Sequence, residues 1–154
     1  MRKPILVVMT AVLVLALATV AMAGDPFVGT WKENVAKSRA ASPNKSQVVV
    51  FTAQENGLKL AADGVNADGT TFHVSWTAKF DAKDYPITGF TNADTIAITS
   101  INANTFSELF KEAGKKVVSA RLIVSKDGKT LTRTTNGKNA KGEDVSNTYV
   151  FDKQ

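Results

Sequence analysis

The chain has no cysteine, one histidine and four prolines in 154 residues. Without cysteine the fold cannot rest on disulfides, and neither a thiolate metal site nor a cysteine nucleophile is available. A lipid anchor on an amino-terminal cysteine is excluded as well. With His73 alone, a zinc site would need three or more carboxylate ligands, an uncommon set. A histidine-based triad lacks its partner, because no serine lies in a Gly-x-Ser-x-Gly turn. Helical periodicity is also missing. After residue 23 no stretch sustains an apolar 3.6-residue repeat for three turns, and Glu33 to Ser38 is read as at most one short helical turn.

Long apolar runs occur only at the amino terminus. Arg2 and Lys3 give a positive start, Ile5 to Val20 is almost unbroken Ile, Leu, Val and Ala, and Ala21-Met22-Ala23 supplies a small-x-small cleavage pattern. The run is short of the roughly 20 residues that span a bilayer, and Gly24-Asp25-Pro26 follows without a cluster of Lys or Arg. The sequence therefore predicts a signal peptide over residues 1–23 and an exported product, periplasmic or extracellular and not embedded in the membrane. Residues 24–154 are expected to form one domain, working as a monomer.

Charge argues for no particular partner. The formal balance of +5 falls to +3 once Arg2 and Lys3 are removed. Lys37, Arg39 and Lys45 form one basic group, and Lys111, Lys115 and Lys116 another. Neither has interleaved aromatics or a nucleic-acid motif, so both read as solvated loops and nucleic acid is not an expected partner.

After Trp31 short alternating runs are separated by turn chemistry: Asn56-Gly57, Asp63-Gly64, Asp68-Gly69, Ala113-Gly114, Asp127-Gly128, Asn136-Gly137 and Lys141-Gly142. Asn-Gly and Asp-Gly favour the positive φ of two-residue hairpins, so neighbours in sequence should be neighbours in a sheet. Strands are expected near 27–32, 46–54, 58–62, 70–80, 94–99, 105–111, 116–125, 130–136 and 145–152.

Hairpin arithmetic assigns faces. With Asn56 and Gly57 as loop residues, Phe51 lies opposite Ala62 and Ala53 opposite Leu60, giving an inner face of Val49, Phe51, Ala53, Leu58, Leu60 and Ala62. Phe72, Val74, Trp76, Ala78 and Phe80 share another inner face, with His73 on its outer side. Asp127-Gly128 pairs Val124 with Leu131 and Leu122 with Arg133, which sets Arg133 on an otherwise apolar face and Arg121 on the opposite one. The run through Phe106, Glu108 and Phe110 stays open. A plain Ala113-Gly114 turn points Leu109 inward, and a bulge reverses the assignment.

Phe27-Val28-Gly29-Thr30-Trp31-Lys32, ahead of a strand meander, resembles the opening of the calycin superfamily, the lipocalins and intracellular fatty-acid-binding proteins, whose first strand carries Gly-x-Trp. Residues 24–154 fit that architecture throughout. Asp25-Pro26 with that opening, Asn34 with Ala36-Lys37-Ser38, Asp84-Tyr85-Pro86 and Ser125-Lys126-Asp127-Gly128-Lys129-Thr130-Leu131-Thr132 resemble segments of small secreted bacterial lipocalin-like proteins. The resemblance implies an all-β fold: one up-and-down antiparallel barrel of about eight to ten strands, closed at one end. Gly29 and Trp31 would form the barrel base, with a basic side chain over the indole in a cation–π contact of about 0.5–2 kcal/mol. Arg133, a charge on an apolar face, is the expected partner. Two features depart from the fatty-acid-binding proteins. The connection from Glu33 to Lys45 is short for their helical lid, and Tyr149 has no arginine two places before it, so the resemblance does not carry over a carboxylate site.

Chemistry-bearing residues elsewhere read blandly. His73 is expected to be an exposed strand residue. Asp63 to Gly69 fails the calcium-loop template, since Gly64 falls on the first ligand position and Ser75 where the bidentate Glu belongs. Asp81 and Asp84 are read as part of a loop at a barrel mouth with Pro86 and Gly89. The expected function is that of a non-enzymatic carrier of a small apolar or amphipathic molecule, without metal or cofactor. Its lining is Phe51, Leu60, Phe72, Val74, Trp76, Phe80, Leu122, Arg133 and Tyr149. The alternative is a barrel filled by its own side chains that works through its outer surface.

Overall fold

Alternation of apolar and polar residues gives each run one face that must leave water, and closing the sheet on itself buries all of these faces together. The computed structural model describes residues 24–139 and 141–154; the expected signal peptide lies outside them. The described residues form ten strands: β1 Gly29–Glu33, β2 Ser46–Gln54, β3 Gly57–Val65, β4 Thr71–Lys79, β5 Tyr85–Thr88, β6 Thr95–Asn102, β7 Thr105–Glu112, β8 Lys115–Val124, β9 Thr130–Lys138 and β10 Asp144–Lys153. Each pairs antiparallel with its sequence neighbours, and β1 pairs with β10 to close the barrel. No helix occurs among the described residues. At the expected helical turn, Lys37 and Ser38 donate their N–H groups to Asn34 O at 3.0 and 3.1 Å and the chain goes no further as helix. Arg39 instead exchanges backbone hydrogen bonds with Thr148 of β10.

β5 was absent from the sequence expectation. Pro86 removes a donor, and the strand meets β4 only at Ser75–Thr88 and Trp76–Ile87, so it carries little local signal. Its presence also corrects the position of Asp81 and Asp84. Their segment does not sit at the mouth but runs along β6, where Ala82 N donates to Ile98 O at 3.2 Å.

The faces follow the sequence more closely than the registers do. In the β2–β3 hairpin Phe51 stands opposite Leu60 and Val49 opposite Ala62, two residues away from the expected pairing. The turn residues are Glu55 and Asn56, the latter at φ 56°. Gly57 belongs to β3, where a Cβ would lie 2.0 Å from Ala78 O. A two-residue slip preserves the side-chain parity, so the inner face is unchanged except for Ala53, which is exposed. β8 and β9 pair as expected, Val124 with Leu131 and Leu122 with Arg133.

The open question at β7 is resolved by a tight turn and a bulge acting together. Glu112 pairs with Lys115 and Lys111 with Lys116 around Ala113-Gly114, but the next pair is Phe110 with Val118. Val117 is the extra residue, and its insertion turns Phe106, Glu108 and Phe110 inward.

One end of the barrel is packed solid. Phe106 meets Phe27 at 4.7 Å, Phe80 at 5.6 Å and Phe51 at 6.1 Å between ring centres, all edge-on. Trp31 has no exposed surface, and its indole N–H donates to Phe27 O at 2.8 Å. The Asp25 carboxylate accepts the Phe27 N–H at 2.9 Å and so folds the entering chain across this end. Burying each such large side chain contributes about 1.5–3 kcal/mol.

Arg133 is not the cation over Trp31. That place is taken by Lys153, whose ammonium lies 4.9 Å from the indole centre. Closure of β1 against β10 puts Lys153 directly opposite Trp31, whereas Arg133 lies on β9, opposite Tyr149.

Candidate functional site

The inner faces of the barrel do not meet at its other end. They leave a cavity of about 340 Å³, reached between the β1–β2, β3–β4 and β5–β6 loops, which contribute Asn44, Asn66 and Phe90 to its wall. Its floor and sides are apolar: Phe51, Leu60, Trp76, Leu122, Leu131 and Phe151 come from β2, β3, β4, β8, β9 and β10. Trp76 meets Phe51 edge-on at 6.2 Å, linking the cavity floor to the aromatic plug below.

Of the residues expected to line the interior, Phe51, Leu60, Phe72, Val74, Trp76, Leu122, Arg133 and Tyr149 all reach the cavity. Phe80 does not; it is part of the plug against Phe106. Gly29 and Trp31 lie at the packed base. Gly29 adopts φ 133°, and a Cβ there would lie 3.1 Å from the Lys153 stem, so the absent side chain makes room for the lysine that covers Trp31. Phe72 lies over Gly64, the residue opposite it on β3, where a Cβ would fall 2.4 Å from the ring.

The wall carries one ion pair. Arg133 Nε donates to Glu108 Oε2 at 2.9 Å, and Nη2 lies 2.9 Å from the same oxygen as an ion pair. The Glu108 side chain is 1% exposed and that of Arg133 23%. The two strands are separated by β8, which places the small Ala120 opposite Glu108 and so leaves space for the pair to meet. The guanidinium also lies 5.5 Å from the Phe110 ring centre, and Phe110 is stacked at 5.1 Å on Phe90 of the β5–β6 loop. The ion pair, the aromatic wall and the mouth are thus one contact chain.

Next to it stands Tyr149, opposite Arg133 in the β9–β10 register. Burial pushes its hydroxyl above the ordinary value of 10.0; the Arg133 charge works against that rise and the Glu33 charge adds to it. Glu33 lies behind the lining, 7% exposed. Its Oε2 accepts from Asn44 Nδ2 at 3.2 Å, and Oε1 has no hydrogen-bond partner among the described residues.

Sequence reasoning missed Glu108, Glu33 and Phe90. Glu108 had a usable signal, because Phe106-x-Glu108-x-Phe110 is the more apolar of the two faces of its strand. Glu33 shares the inward parity of Trp31 but lies one residue past the expected end of that strand, and Phe90 is positioned by the β5–β6 connection. His73, as expected, is on the outer wall, where Nδ1 lies 2.7 Å from Asp63 Oδ1 with both side chains more than half exposed. Asp68 accepts from Thr70 N and Oγ1 within its own hairpin, at 2.8 and 2.6 Å. Asp84 is engaged by Lys111 at 2.8 Å and Asp81 by the Tyr85 hydroxyl at 2.9 Å. Among the described residues no group of three or more His, Asp or Glu is placed to hold a metal ion.

No protein-family model matches the sequence, and no curated protein matches it either. Among solved structures the chain is similar to the one described as "EF1p2_mFAP2b bound to DFHBI", at 11% identity and a TM-score of 0.50, over 84% of this chain and 94% of that one. At that identity the likeness is one of fold, here a closed antiparallel barrel.

Proposed function

We propose that this chain is an exported, non-enzymatic binding protein that holds a small apolar or amphipathic molecule inside its barrel. The cavity carries the reading: about 340 Å³, with aromatic and aliphatic side chains inside, polar side chains around the mouth and the Arg133–Glu108 pair on one wall. That volume falls in the range of roughly 300–1,000 Å³ typical of small-molecule sites, and the chemistry of the wall matches theirs. The structurally similar barrel is described as bound to DFHBI, which supports a ligand-binding reading. A filled barrel acting through its surface fits less well, because the inward side chains leave that cavity between them.

Absence of catalysis is argued from the state of the ionisable groups. Arg133 and Glu108 are committed to each other, and Tyr149 stays protonated near neutral pH. His73, the residue best suited to proton transfer there, is outside the barrel. Export is argued from the charge, apolar run and cleavage pattern of residues 1–23. Among the described residues the exposed large apolar side chains are Val35, Val50, Ile101 and Ile123, each from a different strand or connection, and this favours a monomer.

The test is titration with N-phenylnaphthylamine, an uncharged apolar fluorophore, while tryptophan emission is followed. Saturable quenching of Trp76, lost in Trp76→Phe, is the expected result. Failure of any apolar probe to saturate the protein overturns the carrier reading in favour of the surface module.

A further inference from the structure

We propose that the cavity selects an uncharged guest whose polar end is a hydroxyl, carbonyl or amide, and that it discriminates against carboxylates and other anions. The proposal rests on the carrier reading above and names the class of molecule carried. Arg133 is the only cationic side chain among the lining residues. An anionic guest would be expected to seek it out. Its guanidinium, however, is already paired with Glu108, to which Nε donates and near which Nη2 lies at 2.9 Å, a side chain held almost wholly out of water on the same wall. A second carboxylate would have to share that cation while losing its own hydration, and the repulsion between the two anions is poorly screened in such surroundings.

Glu33 moves the balance further. It stands one hydrogen bond behind the lining, through Asn44, and one of its oxygens is buried without a partner among the described residues. The groups around the cavity therefore comprise one guanidinium and two carboxyls. One cation set against two carboxyls leaves no net positive charge to hold an anion.

A cationic head fares little better, because it would have to approach beside Arg133. A neutral head meets what remains available. The N–H groups of Arg133 not used by Glu108 can donate to an oxygen of the guest. So can the hydroxyl of Tyr149, which makes no hydrogen bond among the described residues. At the mouth Asn44 Nδ2 is engaged by Glu33 and Gln47, which leaves Gln47 Nε2 as an amide donor to the guest. Neutral donors and acceptors of this kind fix the orientation of a guest without requiring a buried charge to be compensated.

The experiment uses two probes of one scaffold on the folded wild-type protein: N-phenylnaphthylamine, which is uncharged, and anilinonaphthalene sulfonate, the same ring system with an anionic group. Displacement of the neutral probe by a fatty alcohol and by the fatty acid of equal chain length extends the comparison to carboxylates. The neutral member of each pair should bind roughly tenfold or more tightly. Equal or tighter binding of the anionic member overturns the proposal while leaving the carrier reading intact; absence of saturable binding by all four removes the carrier reading itself. Glu108→Gln frees Arg133 and should narrow or invert the preference. Glu33→Gln, which changes a group outside the lining, should narrow it by a smaller factor and serves if the first variant does not fold. An unchanged preference in the folded variants overturns the assignment to these carboxyls.

Discussion

Lys153 sits directly opposite Trp31 across β1 and β10 and carries its ammonium 4.9 Å from the indole centre, while its stem passes over Gly29. The last strand of the chain thereby seals the end of the barrel that the first strand plugs. The two residues divide the work unequally. Trp31→Ala removes a fully buried indole from the packed end of the barrel, opens a large void there and should lose about 3–5 kcal/mol in urea unfolding. Lys153→Met keeps most of the stem and should lose less than about 1 kcal/mol. A loss below about 1 kcal/mol for Trp31→Ala would show that it does not plug the barrel.

The buried ion pair should show its cost when split. Arg133→Met leaves Glu108 without its cation and is expected to destabilise by about 3–5 kcal/mol, whereas Arg133→Met with Glu108→Leu should recover most of that loss. Denaturant midpoints of the two single variants and the double variant complete the cycle. Additive effects would mean that the contact contributes nothing.

Trp76 and Trp31 are both buried, but only Trp76 borders the cavity. Among folded variants, Trp76→Ala should weaken binding of N-phenylnaphthylamine more than Trp31→Ala does, as read from the probe's own emission. The reverse order would place the guest elsewhere.

Alkaline titration should report the wall of the cavity. Tyr85 and Tyr149 are the two tyrosines, and both hydroxyls are raised above 10.0, in each case chiefly by burial, with Asp81 also raising Tyr85. A raised value in the folded state means that the native protein holds its proton longer than the unfolded chain. Stability from this source is complete below about pH 10 and is lost as pH rises through the folded value. Phenolate absorbance should therefore lag behind that of the denatured protein, and Tyr149→Phe should remove part of the alkaline loss of stability. Coincident titration curves for folded and unfolded protein would refute this.

Processing is tested on the full-length chain expressed with its leader. The exported product should begin at Gly24 and fractionate as soluble; an intact Met1 in the membrane pellet would refute cleavage after Ala23.

Parity made much of this fold legible. Whether a side chain points in or out depends only on its own strand, so the inner faces of β2, β3, β4, β8 and β9 could be read even where the β2–β3 pairing was displaced by two residues. For the same reason eight of the nine expected lining positions reach the cavity, and Phe80 fails because depth along the barrel, unlike direction, is not a local property. The sequence by itself determined the strand meander, its faces and the place of Trp31 near the start of the barrel. Tertiary structure decided what required distant strands to be brought together. Val117 became a bulge only in the β7–β8 register, Lys153 reached Trp31 only through closure of β10 on β1, and Glu108 met Arg133 only across β8. The hollow follows from closure too, because its volume is the difference between the barrel's width and the side chains within it, and no single strand encodes that width.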